Sequence, residues 1–300
     1  MLEREIPTEV PVDLARTLLP LRRGTGDPTM RIERGSVWRA TRTPDGPATI
    51  HLTLSPATAE LRAEAWGEGA DWILERAPGL AGLDDDASSF HPRDDVVRDL
   101  HRRMPGVHLT RTDRLIEALI PAVLEQKVTG NEARRAYLRL TRSLADPAPG
   151  PAGLLLPPDP ARVATLPYHA FHPFGLERRR AETLRFACAK VHAIEALAER
   201  PPTEARDHLG RFPGISVWTT AEVARLALAD ADAVSVGDYH VPNMVTWALA
   251  SEPRGTDERM LELLEPYRGQ RGRVQLLLEA GGISAPRFGP RMRTRAIERL

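Results

Sequence analysis

The apolar periodicity of this chain changes once, near residue 90, and that change restricts it to an α+β architecture. Between residues 30 and 66, Val37–Thr41, Thr49–Leu54 and Ala59–Trp66 alternate apolar and polar side chains. A half-buried strand requires that period of two. Asp45-Gly46-Pro47 stands between the first two runs as a hairpin signal. Short helices are predicted over residues 14–21 and 69–76, the second stopping before Pro78.

Beyond residue 90 the spacing is helical. Leu115, Ile116, Leu119, Ile120, Val123 and Leu124 mark one apolar helix face, which Pro121 should kink. Thr129-Gly130-Asn131-Glu132 is a capping box opening a helix that runs to about Leu144. Six prolines within 145–160 predict a loop. A single long helix is predicted over 176–199, ended by Pro201-Pro202. Further helices should begin near Val241 and Thr256, and a last one should run from about Arg268 to a Gly281-Gly282 cap. The expected organisation is a small N-terminal mixed α/β domain with an antiparallel sheet over 1–90. A mostly α-helical core over 91–282 and a basic tail over 283–300 follow. The acidic loop Leu83–Ser89 reads as the first boundary.

Composition narrows the function classes. The one cysteine, Cys188, excludes a disulfide framework, a Cys-rich zinc site and a four-cysteine iron–sulfur cluster. His169 and His172 lack further ligands nearby, so no metal site is expected. No run of 18 apolar residues exists and the charged N-terminus lacks a signal-peptide core, so the cytoplasm is the expected compartment. Net charge is zero but uneven. Residues 1–90 carry 10 Arg against 15 acids, and residues 91–300 carry 31 Lys plus Arg against 26 acids. The tail concentrates Arg287, Arg291, Arg293, Arg295 and Arg299 against Glu298 alone. A solvated surface or a polyanion partner would each account for that distribution.

The sharpest local signal is Leu209-Gly210-Arg211-Phe212-Pro213-Gly214-Ile215-Ser216-Val217-Trp218-Thr219-Thr220-Ala221. Pro213 ends one helix, Gly214 permits a tight turn, and a second helix should start at Thr219 or Thr220. Backbone N–H groups of Gly214, Ser216 and the next turn are then free at a helix start, where one DNA phosphate can bind. An ordinary helical hairpin has the same punctuation.

The segment resembles the helix-hairpin-helix motif of the base-excision DNA glycosylases. Asp232-Ala233-Val234-Ser235-Val236-Gly237-Asp238 follows at the spacing of that superfamily's loop with an essential aspartate. Ala122 to Thr129 is similar to the helix end that approaches the lesion, and Gly175 to Glu182 to the segment before the hairpin. The branch most resembled is 3-methyladenine DNA glycosylase II. The resemblance spans residues 110–280, with the hairpin at about 203–228. It implies a DNA-repair hydrolase acting as a monomer on damaged double-stranded DNA, with Asp238 catalytic. It implies a base pocket of Trp218, Tyr239 and Tyr267, and DNA contacts from Gly214, Ser216, Thr219, Gln126 and Lys127. No cofactor is required, although the relatives hold a monovalent cation on hairpin carbonyls.

Residue choices sort the chain within that superfamily. Bifunctional members carry a Schiff-base lysine where Trp218 stands, so a monofunctional enzyme is implied. Ser216 replaces the second hairpin glycine, at which a positive φ would be uncomfortable. Lys127 stands where relatives place an apolar wedge, so it either inserts its stem or binds phosphate. The implied substrates are alkylated purines of the 3-methyladenine and 7-methylguanine type. A glycosylase for another lesion such as hypoxanthine, and a non-catalytic hairpin DNA binder, are the alternatives. No second carboxylate partner for Asp238 is evident from sequence.

Overall fold

The computed structural model describes residues 1–55, 60–144 and 146–286. Ala59 of the third predicted strand, Ala145 of the proline-rich loop and the tail from Arg287 to Leu300 lie outside the described residues.

Five antiparallel strands form one sheet: β1 (Leu2–Pro7), β2 (Met30–Glu33), β3 (Ser36–Thr43), β4 (Gly46–Ser55) and β5 (Glu60–Gly67), in the order β1-β5-β4-β3-β2. The period of two sets the register. Ile50 faces Ala65 and Leu52 faces Ala63 across β4 and β5, which places these side chains on one buried face with Ala48, Leu61 and Val37. Helices α1 (Leu14–Leu18) and α2 (Ala70–Glu75), and the turn α3 (Ala77–Leu80), cover that face. Strand β1 was not anticipated. Only Ile6 of its six residues is buried, so it holds its place by backbone pairing with β5 and not by an apolar pattern.

The remaining helices are α4 (Asp95–Arg103), α5 (Leu115–Glu125), α6 (Gly130–Leu144), α7 (Pro160–Thr165), α8 (Arg178–Ala189), α9 (Val191–Glu195), α10 (Pro202–Leu209), α11 (Val217–Ala227), α12 (Val241–Ala250), α13 (Asp257–Leu264) and α14 (Arg271–Ala280). They enclose two apolar clusters. One surrounds α5, with α6, α8, α9, α10 and α11 about it; the other joins Phe90 and α4 to α12, α13 and α14. The fold is therefore α+β, a sheet layer followed by a predominantly helical body.

Two expectations need correction. Helix α5 does not show a single apolar face, because Leu115, Ile116 and every residue from Ala118 to Leu124 are buried. It is the central helix of its cluster, so each side meets a neighbour. The long helix over 176–199 is broken into α8, α9 and a 3₁₀ turn, Ala196–Glu199. The break at Lys190 (φ −107°, ψ 20°) carries no glycine or proline signal. It turns the chain so that Glu195 caps α5, accepting from Leu115 N at 3.0 Å and Ile116 N at 3.1 Å.

The capping box is present, with Glu132 N donating to Thr129 Oγ1 and Thr129 N to Glu132 Oε2. Sheet and helices meet through Glu117 of α5, which receives Arg39 Nη2 at 2.6 Å and Arg42 N at 2.7 Å from β3. The acidic loop read as a boundary is no slack connector. Asp85 within it is 4% exposed and grips both terminal nitrogens of Arg273 on α14 at 2.6 and 2.7 Å.

Candidate active site

The hairpin consists of α10, the bend Gly210–Ser216 and α11. Gly214 has φ +82°, and a Cβ there would lie 2.2 Å from Thr183 Oγ1 of α8. Glycine is thus required both by the left-handed backbone and by the close approach of α8. Ser216 proves unstrained, at φ −89° and ψ 169°, and its hydroxyl caps α11 by accepting from Thr219 N. The helix accordingly begins at Val217, two residues ahead of the predicted start. With Thr219 N engaged and its side chain buried, Thr219 offers no free group to a phosphate. The N–H groups of Gly214, Ser216 and Val217 meet no acceptor among the described residues and remain suited to an anion.

Gln126 and Lys127 follow the end of α5. Gln126 Nε2 donates to Gly214 O at 3.0 Å and Thr219 Oγ1 at 2.9 Å, which fastens the α5 terminus to the hairpin bend. Lys127 is exposed beside it with φ +55°, a backbone conformation uncommon for a side-chain-bearing residue. The turn therefore presents the Lys127 side chain away from the core.

Asp238 lies twenty residues beyond Trp218 in sequence and meets it in space. The indole Nε1–H donates to Asp238 Oδ2 at 3.0 Å. The other oxygen, Oδ1, accepts from His240 N at 2.6 Å and Val241 N at 2.9 Å, at the start of α12. The carboxylate is thus both a helix cap and a partner of the hairpin, fixed by three donors.

The loop that carries Asp238 is tied down along its length. Asp232 accepts from Gly269 N and from Arg271. Gly237 N donates to the Asp257 carboxylate at the head of α13. At Ser235 the loop enters a polar cluster with Glu222 and Arg225 of α11 and Gln275 and Glu279 of α14. Ser235 N donates to Gln275 Oε1 at 3.1 Å, and Ser235 Oγ donates to Glu222 Oε1 through a short contact. Arg225 bonds Glu279 at 2.6 Å and Glu222 at 3.2 Å. Burial opposes the charge of Arg225, but the Glu279 and Glu222 carboxylates raise its pKa above the usual arginine value. Burial pushes the Glu222 carboxyl up; Arg225 opposes this and the Glu279 carboxylate adds to it. Sequence reasoning missed Glu222. Its position one turn after Trp218 was visible, but its pairing with Ser235 was not.

No family model matches the sequence, and no curated protein matches it. Solved structures do. The 3-methyladenine DNA glycosylase of Archaeoglobus fulgidus superposes with a TM-score of 0.76 at 19% identity, covering 93% of this chain and 98% of that one. MBOgg1 bound to a low-affinity DNA ligand gives 0.72 at 15% identity, over 93% and 95% of the two chains. The Clostridium acetobutylicum 8-oxoguanine glycosylase/lyase, in complex with double-stranded DNA bearing cytosine opposite 8-oxoguanine, gives 0.69 at 12%, over 90% and 91%. The chain has the helix-hairpin-helix DNA glycosylase fold.

Of the three aromatics expected to form a base pocket, two lie at Asp238 and one does not. Trp218 is half-buried on the α5 cluster with its indole edge on Asp238. Tyr239 is 79% exposed next to that carboxylate, its ring edge-on to His240. Tyr267 does not join them. It is buried in the other cluster against Phe90, and its hydroxyl accepts from Arg93 N and Asp94 N at 2.9 Å while donating to Asp94 Oδ2. There it organises the start of α4, apart from Trp218 and Tyr239.

His172 bonds the Tyr168 hydroxyl, and no group of three metal-ligating side chains occurs among the described residues. No described helix is long and apolar enough to cross a membrane. A cavity of about 30 Å³, room for one water, lies at the seam of sheet and helices between Arg39, Glu117 and Tyr137; none of the predicted site residues lines it.

Proposed function

We propose that this protein is a monofunctional DNA glycosylase that hydrolyses the N-glycosidic bond of alkylated purines in double-stranded DNA. The observation that carries the reading is the Asp238 carboxylate, clamped between the hairpin's Trp218 and the start of α12. Glycosylase neighbours, two of them in complex with DNA, support it.

The free amides at Gly214, Ser216 and Val217 would grip one phosphate, and Lys127 would meet the strand beside them or fill the gap left by the flipped nucleotide. Extruding the base costs a few kcal/mol, less for a damaged base. Alkylation at a ring nitrogen makes a purine cationic, and the faces of Trp218 and Tyr239 would attract it by about 0.5–2 kcal/mol. A cationic base leaves readily. What remains is an oxocarbenium-like sugar, which the Asp238 carboxylate opposes in charge while orienting the attacking water. Trp218 stands where a Schiff-base lysine would be needed for strand cleavage, which supports hydrolysis alone. A monovalent cation on the hairpin carbonyls and action as a monomer belong to the same proposal.

Incubation with methylated DNA should release 3-methyladenine or 7-methylguanine, with strand breaks only after alkali. Direct nicking, or a borohydride-trapped adduct, contradicts the monofunctional reading. Asp238→Asn should lower single-turnover release by several orders of magnitude while DNA binding persists. Full activity in that variant refutes the catalytic assignment, and salt-sensitive DNA binding with no base release from wild type would mark a mere binder.

A further inference from the structure

We infer that Glu222 is a second carboxyl group of this site, donating a proton to the departing base opposite Asp238. The inference rests on the glycosylase reading above, and the geometry behind it is the registry between α11 and the loop 232–238. That loop touches α11 at Trp218 through Asp238 and at Glu222 and Arg225 through Ser235. Trp218 and Glu222 are four residues apart on one helix, so they share a face and lie about 5–6 Å from each other. Glu222 and the Trp218 that holds Asp238 therefore share one face of α11.

The hydrogen-bond inventory then fixes where a proton on Glu222 must sit. Gln275 Nε2 and Arg225 Nη1 both donate to Ser235 Oγ, so the Ser235 hydroxyl hydrogen is directed at Glu222 Oε1. Arg225 Nη1 also donates to Oε1. Oε1 is saturated as an acceptor, and a protonated Glu222 carries its hydrogen on Oε2. That oxygen has no hydrogen bond among the described residues, and 21% of the side chain is exposed. The charged groups around it come from three elements: Arg225 on α11, Glu279 on α14 and Glu125 at the end of α5. Burial and the two carboxylates favour the protonated form, and Arg225 opposes it. Protonated, Glu222 presents an O–H donor on the face of α11 that meets the 232–238 loop.

Such a donor matters for bases that are neutral before they leave. As the C1′–N9 bond breaks, its electron pair goes to the base, and the Oε2 proton passes to a ring nitrogen so that the base departs neutral. Water adds to C1′ and gives its proton to Asp238. Exchange with solvent then returns the proton from Asp238 to bulk and one from bulk to Glu222, so the net reaction consumes one water. A cationic alkylpurine needs this step less.

The test compares duplexes bearing one hypoxanthine, a neutral base, or one 7-methylguanine, in single-turnover release between pH 5.5 and 9. In wild type the hypoxanthine rate should fall with rising pH toward tenfold per unit once Glu222 ionises, and more steeply than the 7-methylguanine rate. Glu222→Gln should lower hypoxanthine release at least tenfold more than 7-methylguanine release and remove that pH limb. Equal losses on both bases, no loss on either, or a wild-type hypoxanthine rate without the limb overturn the inference. So does a wild type that releases 7-methylguanine and no hypoxanthine, which leaves the glycosylase reading intact. Release of neither base by wild type defeats both readings. Should Glu222→Gln melt well below wild type, the wild-type pH profiles alone decide.

Discussion

Gly214 sits against Thr183 with no room for a methyl group and with a left-handed φ. Gly214→Ala should therefore destabilise the protein by about 1–3 kcal/mol and weaken its grip on undamaged duplex DNA, as the bend withdraws from α8. Thermal melting and a salt-dependent binding titration would check this; an unchanged melt would mean the bend tolerates the side chain. The requirement was legible in Phe-Pro-Gly as a tight turn, although the obstacle to a side chain is Thr183 of α8. Asp238 was singled out by resemblance alone, and the structure places its carboxylate against the Trp218 indole. The place of Tyr267 was not legible, since Pro-Tyr-Arg does not say which core receives the ring. Ser216 was misjudged as a strained stand-in for glycine, whereas its extended backbone and capping hydroxyl are what serine favours.

At the scale of elements, a largely buried carboxylate holds the start of the central helix. Glu195 caps α5, and burial pushes its pKa up to about 7, with Arg114 and two backbone N–H groups working against the rise. The folded value exceeds the unfolded one, so the folded chain holds a proton between about pH 4.5 and 7 that the unfolded chain has shed. Stability from this group is complete below about pH 4.5 and is lost as pH rises through 7, by no more than about 3 kcal/mol. Glu195→Gln cannot ionise. Its melting temperature relative to wild type should climb from pH 5 to 7 and then level off, and a difference that stays flat across that range would dismiss the effect. Period-two alternation located the three inner strands and the capping box located α6. The break at Lys190 escaped because tertiary demand, the need to bring Glu195 to α5, imposes it without a local residue signal. Strand β1 escaped because an edge strand can be almost wholly exposed.

For the molecule as a whole, the consequential contact is Asp85 with Arg273, which joins the chain after the sheet to the last described helix. Burial works against the Asp85 carboxylate, yet Arg273 and His108 hold it down at about 2. Its contribution to stability is present above about pH 3.8 and is lost only as pH falls through 2. Asp85→Asn leaves the Arg273 guanidinium buried without its counter-charge and should cost about 3–5 kcal/mol in urea unfolding at neutral pH. A loss under about 1 kcal/mol would mean that water or Asp86 replaces it. An order of appearance also follows from the anchoring of Ser235 by Gln275. During synthesis the hairpin emerges first, while the side chain that fastens the acid-bearing loop comes some forty residues later. A nascent chain can thus form the bend at Gly214 before Gln275 is there to pin the 232–238 loop at Ser235, so that tether is among the latest contacts to close.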